Sequence, residues 1–183
     1  DPKHGDHALR MALKSTICKA EITIADIDRG YYRDHALTIA RHPSETDERM
    51  MVRVLAFALH ADDALAFGRG LSADDEPDLW RRDLTGAIEQ WIDVGLPDER
   101  DVRKACGRAQ QVAIVAYGGR AVDLWWAGAR DALQRQGRRV VREVPLDASR
   151  ALSRLAGRSM RLQFTIQDGH VYVTDGASTV AVD

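Results

Sequence analysis

Cysteine is nearly absent from this 183-residue chain. Its two cysteines, Cys18 and Cys106, lie far apart and have no partners at metal-ligand spacing. That excludes a disulfide framework and a thiolate zinc site, and it fits two ordinary buried thiols in a reducing cytoplasm. No uncharged apolar run approaches the roughly 18 residues of a membrane span, so no membrane partner is expected. Residues 1–10 (DPKHGDHALR) hold no apolar h-region and are read as a leader outside the fold, since Met11 opens the well-patterned MALKSTICKAEITIADID. The formal net charge of −2 gives no global field for a polyanion, so any nucleic-acid binding must come from a local basic patch. GxSxG, HExxH, CxxC and phosphate-loop motifs are all missing, which leaves serine-hydrolase, zinc-protease and NTPase chemistry without support.

What is present is a hydrophobic share of 45% and a charged share of 30%, enough for one compact domain with its own core over residues 11–183. Loose alternation from Lys14 to Asp28, interrupted by GYY and resumed from His35 to Ile39, predicts an N-terminal β-hairpin. Ser44, with Asp47 three residues on, predicts the N-cap of a helix reaching about His60, on which Glu48 heads the stripe Val52, Leu55, Leu59. After the turn GRGLSADDEP, a strand is expected near Asp78 and another at 87–94. Pro97-Asp98 opens a second helix with Val102, Ala105, Cys106 and Ala109 buried, and Gln111–Tyr117 reads as a buried strand, making a βαβ crossover. A helix at 120–135, a strand at 140–144 and a helix at 147–156 follow. Gln167-Asp168-Gly169 closes a C-terminal hairpin. The expected fold class is α+β, a mixed sheet with helices and a β-hairpin at each end.

IEQWIDVG (88–95) carries the chemistry. Alternation puts Glu89, Trp91 and Asp93 on one strand face and Ile88, Gln90, Ile92 and Val94 on the better core face. Glu89, Asp93 and nearby Asp78 are therefore either a solvated edge or a carboxylate cluster for a metal. Hard oxygen donors of this kind suit Mg²⁺ or Mn²⁺, which can activate water against a phosphodiester. The order of elements, helix with Glu48, strand with Asp78, strand with Glu89 and Asp93, basic helix, buried strand, resembles the core of PD-(D/E)XK nucleases, and Pro77-Asp78 could be the first half of that motif. The second half departs from it: Trp91 stands at the lysine position if Glu89 is the acid, and Gly95 if Asp93 is. Arg103 or Lys104 could supply the cation, although Lys104 points nearly away from the buried face set by Val102 and Cys106.

Longer stretches, MALKSTICKAEITIADIDR, LTIARHPSETDERMMVRVLAFALHA, GLSADDEPDLW, IEQWIDVGLPDERDVRKACGRA and LQFTIQDG, resemble the YaeQ family of bacterial proteins. The resemblance implies a compact variant of the PD-(D/E)XK restriction-endonuclease-like core. It puts Asp78 in the first acid position, Glu89 or Asp93 in the second and Glu48 at the helix acid, with Mg or Mn as the implied cofactor.

Arg41, His42, Arg49 and Arg53 gather near a helix N-terminus, where a phosphate could sit; with Arg103 they are the candidate nucleic-acid contacts. The competing reading pairs these arginines with Glu45, Asp47 and Glu48. Gly118-Gly119 reads as a tight turn, and Trp125-Trp126 as core rather than a base-stacking platform. The expected function is nucleic-acid binding with metal-dependent nuclease activity at these acids. The alternative is a non-catalytic interaction or transcription-regulatory protein that keeps the core as scaffold.

Overall fold

Every second side chain of TICKAEITIAD is buried from Cys18 to Asp26, and that two-residue period makes β1 (Thr16–Asp26). The computed structural model describes residues 15–183 apart from 74, 136 and 138, so the leader expected at residues 1–10 lies outside the described residues. β2 (Tyr31–Arg41) returns antiparallel to β1 as expected, and the C-terminal hairpin of β8 (Ser159–Gln167) and β9 (His170–Thr174) forms around Asp168 and Gly169, both at positive φ. β1 also pairs in parallel with β8, joining both hairpins and β10 (Thr179–Val182) into one five-stranded sheet ordered β10-β9-β8-β1-β2.

The central strands form a second five-stranded sheet, so the single mixed sheet expected from the sequence is two. Its order is β3 (Leu65–Phe67), β4 (Leu79–Arg82), β5 (Ile88–Val94), β6 (Ala109–Tyr117) and β7 (Arg139–Val144). β3, β4 and β5 are antiparallel neighbours, and β5, β6 and β7 run parallel. The parallel links need crossovers, which α2 (Glu99–Arg108) and α3 (Arg120–Arg135) provide.

Between the sheets lies α1 (Asp47–Leu59), buried without interruption from Met50 to Ala58, against α4 (Leu146–Ser153). The single apolar stripe expected for α1 is therefore too narrow, because sheets and α4 enclose it. Its cap is Thr46 rather than Ser44: Thr46 accepts from the Arg49 amide at 3.1 Å, while Ser44 bonds His42. β5 serves two cores. Ile92 and Val94 face α1, and Trp91 faces a second cluster with Val102 and Ala105 of α2 and Val122 of α3. On the face of Glu89, Trp91 and Asp93, helices thus cover Trp91, while Glu89 and Asp93 on either side of it stay partly exposed. Trp125 and Trp126 pack on this second cluster, and Trp125 Nε1 donates to the Pro97 carbonyl at 2.6 Å. Among the described residues no helix is long and apolar enough to cross a membrane.

Candidate functional site

The register that sets Leu79 opposite Ile92 brings Asp78, one step further, opposite Asp93. Carboxylates facing each other across strands repel when both are charged. Asp78 is only 3% exposed and is charge-compensated: Arg49 Nη2 lies 2.8 and 3.0 Å from its two oxygens, and the Val94 amide donates to Oδ2 at 2.8 Å. No cation among the described residues pairs with Asp93. Trp91 Nε1 donates to its Oδ2 at 3.0 Å, yet burial, followed by the charge of Asp78, pushes the Asp93 carboxyl up to about 6.

Beside the pair opens a cavity of about 760 Å³, lined among others by Arg49, Asp78, Asp93, Lys104 and Tyr117. It lies past the carboxyl ends of β5 and β6, where the crossovers depart, a position at which sheets with parallel strands commonly hold ligands. Burial raises the Tyr117 phenol above its ordinary range. The loop on the other side is laid directly on the motif: the Gly68 amide donates to the Asp78 carbonyl at 3.0 Å and the Gly70 amide to Pro77 at 3.2 Å. A Cβ at Gly68 would stand 2.2 Å from the Pro77 oxygen, and one at Gly70, whose φ is +50°, 2.7 Å from Asp78 Oδ1. Glycine at both places lets the backbone approach this closely.

Behind Asp78 the charges continue inward. Arg49 Nη1 bonds Glu45 at 2.7 Å, and Arg53 Nη2 bonds the other oxygen of Glu45 and the Ala40 carbonyl. Glu45 and Arg53 are buried, so this is an internal ion network and not a surface patch.

The structure brings Arg49, Asp78, Asp93 and Lys104 to one cavity and separates the other candidates from it. Glu89 precedes Asp93 by four residues, about 13 Å along a strand, and its carboxylate takes Arg81 Nε at 2.7 Å; it does not line the cavity. Glu48 accepts from the Ser149 hydroxyl of α4 at 3.1 Å. Lys104 does line the cavity, because the side of α2 turned away from the core is the side turned toward that opening. Arg103 pairs with Glu99 at 3.7 Å and stands off the cavity. Arg41 donates to the Glu45 carbonyl and pairs with Asp47, and His42 shares a hydrogen bond with Ser44. Arg49 lines the cavity but is committed to Asp78 and Glu45, and Arg53 is buried against Glu45.

Three roles are hidden in the sequence. Arg49 enters as the counter-ion of Asp78; its four-residue spacing from Glu45 was visible, but the reach to Asp78 was not. Tyr117 shows in the sequence only as a strand end. Glu45 reads in the sequence as a surface acid, and the structure buries it. Among the described residues no three His, Cys, Asp or Glu side chains form a metal-holding group. Asp78 and Asp93, facing each other on the cavity, are the residues that could hold an ion of the Mg²⁺ type, which takes one or two carboxylates and fills its remaining positions with water and phosphate oxygens.

A family model described as YaeQ protein matches residues 11–183. The uncharacterised YaeQ protein of Salmonella typhi is 46% identical over 172 residues, covering 94% of this chain and 95% of that protein. Its counterpart in Escherichia coli K12 is 44% identical over 173 residues, with 94% and 96% covered. The crystal structure of the YaeQ protein from Xanthomonas axonopodis pv. citri superposes with a TM-score of 0.89 at 52% identity, covering 92% of this chain and 95% of that one. The one from Pseudomonas syringae gives 0.88 at 38% identity, covering 92% and 93%. On sequence and fold together, the chain belongs to the YaeQ family.

Proposed function

We propose that the cavity is a divalent-metal-dependent phosphodiesterase site of the PD-(D/E)XK kind that acts on nucleic acid. Asp78 is the first acid, Asp93 the second, and Lys104 on α2 replaces the strand lysine that the motif has lost. The observation that carries this reading is the cross-strand Asp78–Asp93 pair lining the same cavity as Lys104.

A bound Mg²⁺ or Mn²⁺ would lower the pKa of a water and neutralise phosphate charge. The chain's own residues prepare for that. The Val94 amide orients Asp78 and the Trp91 indole orients Asp93, and a metal at Asp78 would take the place that Arg49 now holds as its counter-ion. Burial first, and then the charge of Asp78, raises the Asp93 carboxyl, and a cation between the two acids would favour its charged form. The Lys104 ammonium adds a fixed positive charge where the phosphate would gain charge, and losing one such contact typically costs about 10²–10³ in rate.

The test is cleavage of single- and double-stranded DNA and RNA with Mn²⁺, alongside Mn²⁺ calorimetry. Wild type should cleave at least one substrate, Asp93→Asn should lose both cleavage and Mn²⁺ binding, and Lys104→Ala should lose cleavage while still binding Mn²⁺. Undiminished cleavage by Asp93→Asn would sink the assignment. A second reading, a non-catalytic interaction or regulatory protein, draws on Arg49, whose guanidinium already occupies both oxygens of Asp78. Wild type that binds no Mn²⁺ and cleaves nothing favours that reading.

A further inference from the structure

Arg100, Lys104 and Arg108 recur every fourth residue of α2, so they lie along one side of the helix, rising about 6 Å per step. Arg100 and Lys104 line the cavity. Arg108 Nη1 donates to the Asp75 carbonyl at 3.3 Å, in the loop whose next residue, Glu76, also lines it. None of the three is ion-paired among the described residues, whereas Arg103 on the same helix is tied to Glu99. An unpaired row of cations with a step close to the reach between neighbouring phosphates is a track for a phosphodiester backbone.

The cavity itself is not basic. With Asp78 set against its partner Arg49, and Glu76 against Arg69, it still presents Asp93, Asp98 and Asp101 against Arg100 and Lys104. A phosphate therefore meets net repulsion at the acids unless a cation intervenes. A cavity of about 760 Å³ has room for part of a separated strand but not for a base-paired duplex, and Asp78, only 3% exposed, lies on its wall, so the backbone reaches the acids best as a single strand.

Resting on the reading above, we infer that the ligand is an extended single strand of nucleic acid. Its successive phosphates follow Arg100, Lys104 and Arg108 along α2, and its binding depends on a divalent cation at Asp78 and Asp93. Arg108 is then a specificity-determining contact outside the cavity, one that favours strands over mononucleotides.

Fluorescence anisotropy with a labelled single-stranded oligonucleotide tests this, in Ca²⁺ and in EDTA, across a salt series. Ca²⁺ should tighten binding about tenfold or more. Arg100→Gln plus Arg108→Gln should weaken it about tenfold and flatten the salt dependence by about 1.4 log units per log unit of salt, two contacts at the single-strand value. Arg103→Gln, equally exposed on the same helix, should change neither, and unchanged thermal melting of all variants keeps the comparison valid. Equal loss in Arg103→Gln, tighter binding of duplex, binding indifferent to Ca²⁺, or no binding by wild type each overturns the inference. The two readings fail separately: a strand bound along the track but never cleaved with Mn²⁺ removes the hydrolytic reading alone, and cleavage that survives loss of Arg100 and Arg108 with full affinity removes the track alone.

Discussion

Arg49 Nη2 touches both oxygens of Asp78, and Nη1 of the same guanidinium touches Glu45. One side chain of α1 thus compensates two buried acids on opposite sides of it. Arg49→Met should remove both contacts and leave Asp78 next to Asp93 with no cation, at a cost of about 3 kcal/mol, as for breaking one side of a buried pair. If the cavity takes a divalent ion, Mn²⁺ should raise the urea midpoint of this variant more than that of wild type. Equal shifts in the two proteins would show that Arg49 does not stand in for a cation.

Glu45 is 4% exposed and holds Arg49 and Arg53 together. Glu45→Gln should leave Arg53, itself 5% exposed, with the Ala40 carbonyl and the face of Phe67 as its contacts, costing about 3–5 kcal/mol. Adding Arg53→Met should recover part of that loss, since an apolar pair is tolerated better than an orphaned charge. Losses that simply add in urea unfolding would refute the coupling.

The two glycines beside Pro77 separate close packing from simple flexibility. Gly68→Ala forces a methyl against the Pro77 carbonyl and should cost about 1–3 kcal/mol, with Mn²⁺ affinity falling because Asp78 is displaced. Gly107→Ala on α2 meets nothing within 4 Å and should instead stabilise by about 0.5–1 kcal/mol. Thermal melts of the pair decide it; a neutral Gly68→Ala would mean the loop yields without moving Asp78.

What the sequence showed was local. The alternation of Cys18 to Asp26, the Asp98 cap that accepts from the Asp101 amide, and the Asp168-Gly169 turn each declare themselves within a few residues. The parallel pairing of β1 with β8 joins segments more than a hundred residues apart, and no periodicity records it. Within the site, alternation correctly put Glu89 and Asp93 on one face of β5. It did not show that four residues of strand part them, or that Arg81 claims Glu89. Helical spacing sets Lys104 only against the core of Val102 and Cys106, from which it points away, yet α2 borders a cavity on its other side.

His60, the C-cap of α1, gives the fold a pH dependence on the acid side. It is partly buried, Gln90 Nε2 lies 3.2 Å from its Nδ1, and burial, followed by the charges of Arg29, Arg142 and Arg81, lowers its pKa from 6.5 to about 4. In the unfolded chain it titrates at its ordinary value, so between those two pH values the unfolded state binds more protons and stability falls as pH falls. The contribution is fully present above about pH 6.5 and is lost by about pH 4, with an upper size on the order of 3 kcal/mol. Urea unfolding at pH 7.5 and pH 5 should show the loss in wild type. It should shrink in His60→Gln, whose amide can still meet Gln90 but carries no proton. An identical pH slope in the variant would assign the acid sensitivity to other groups.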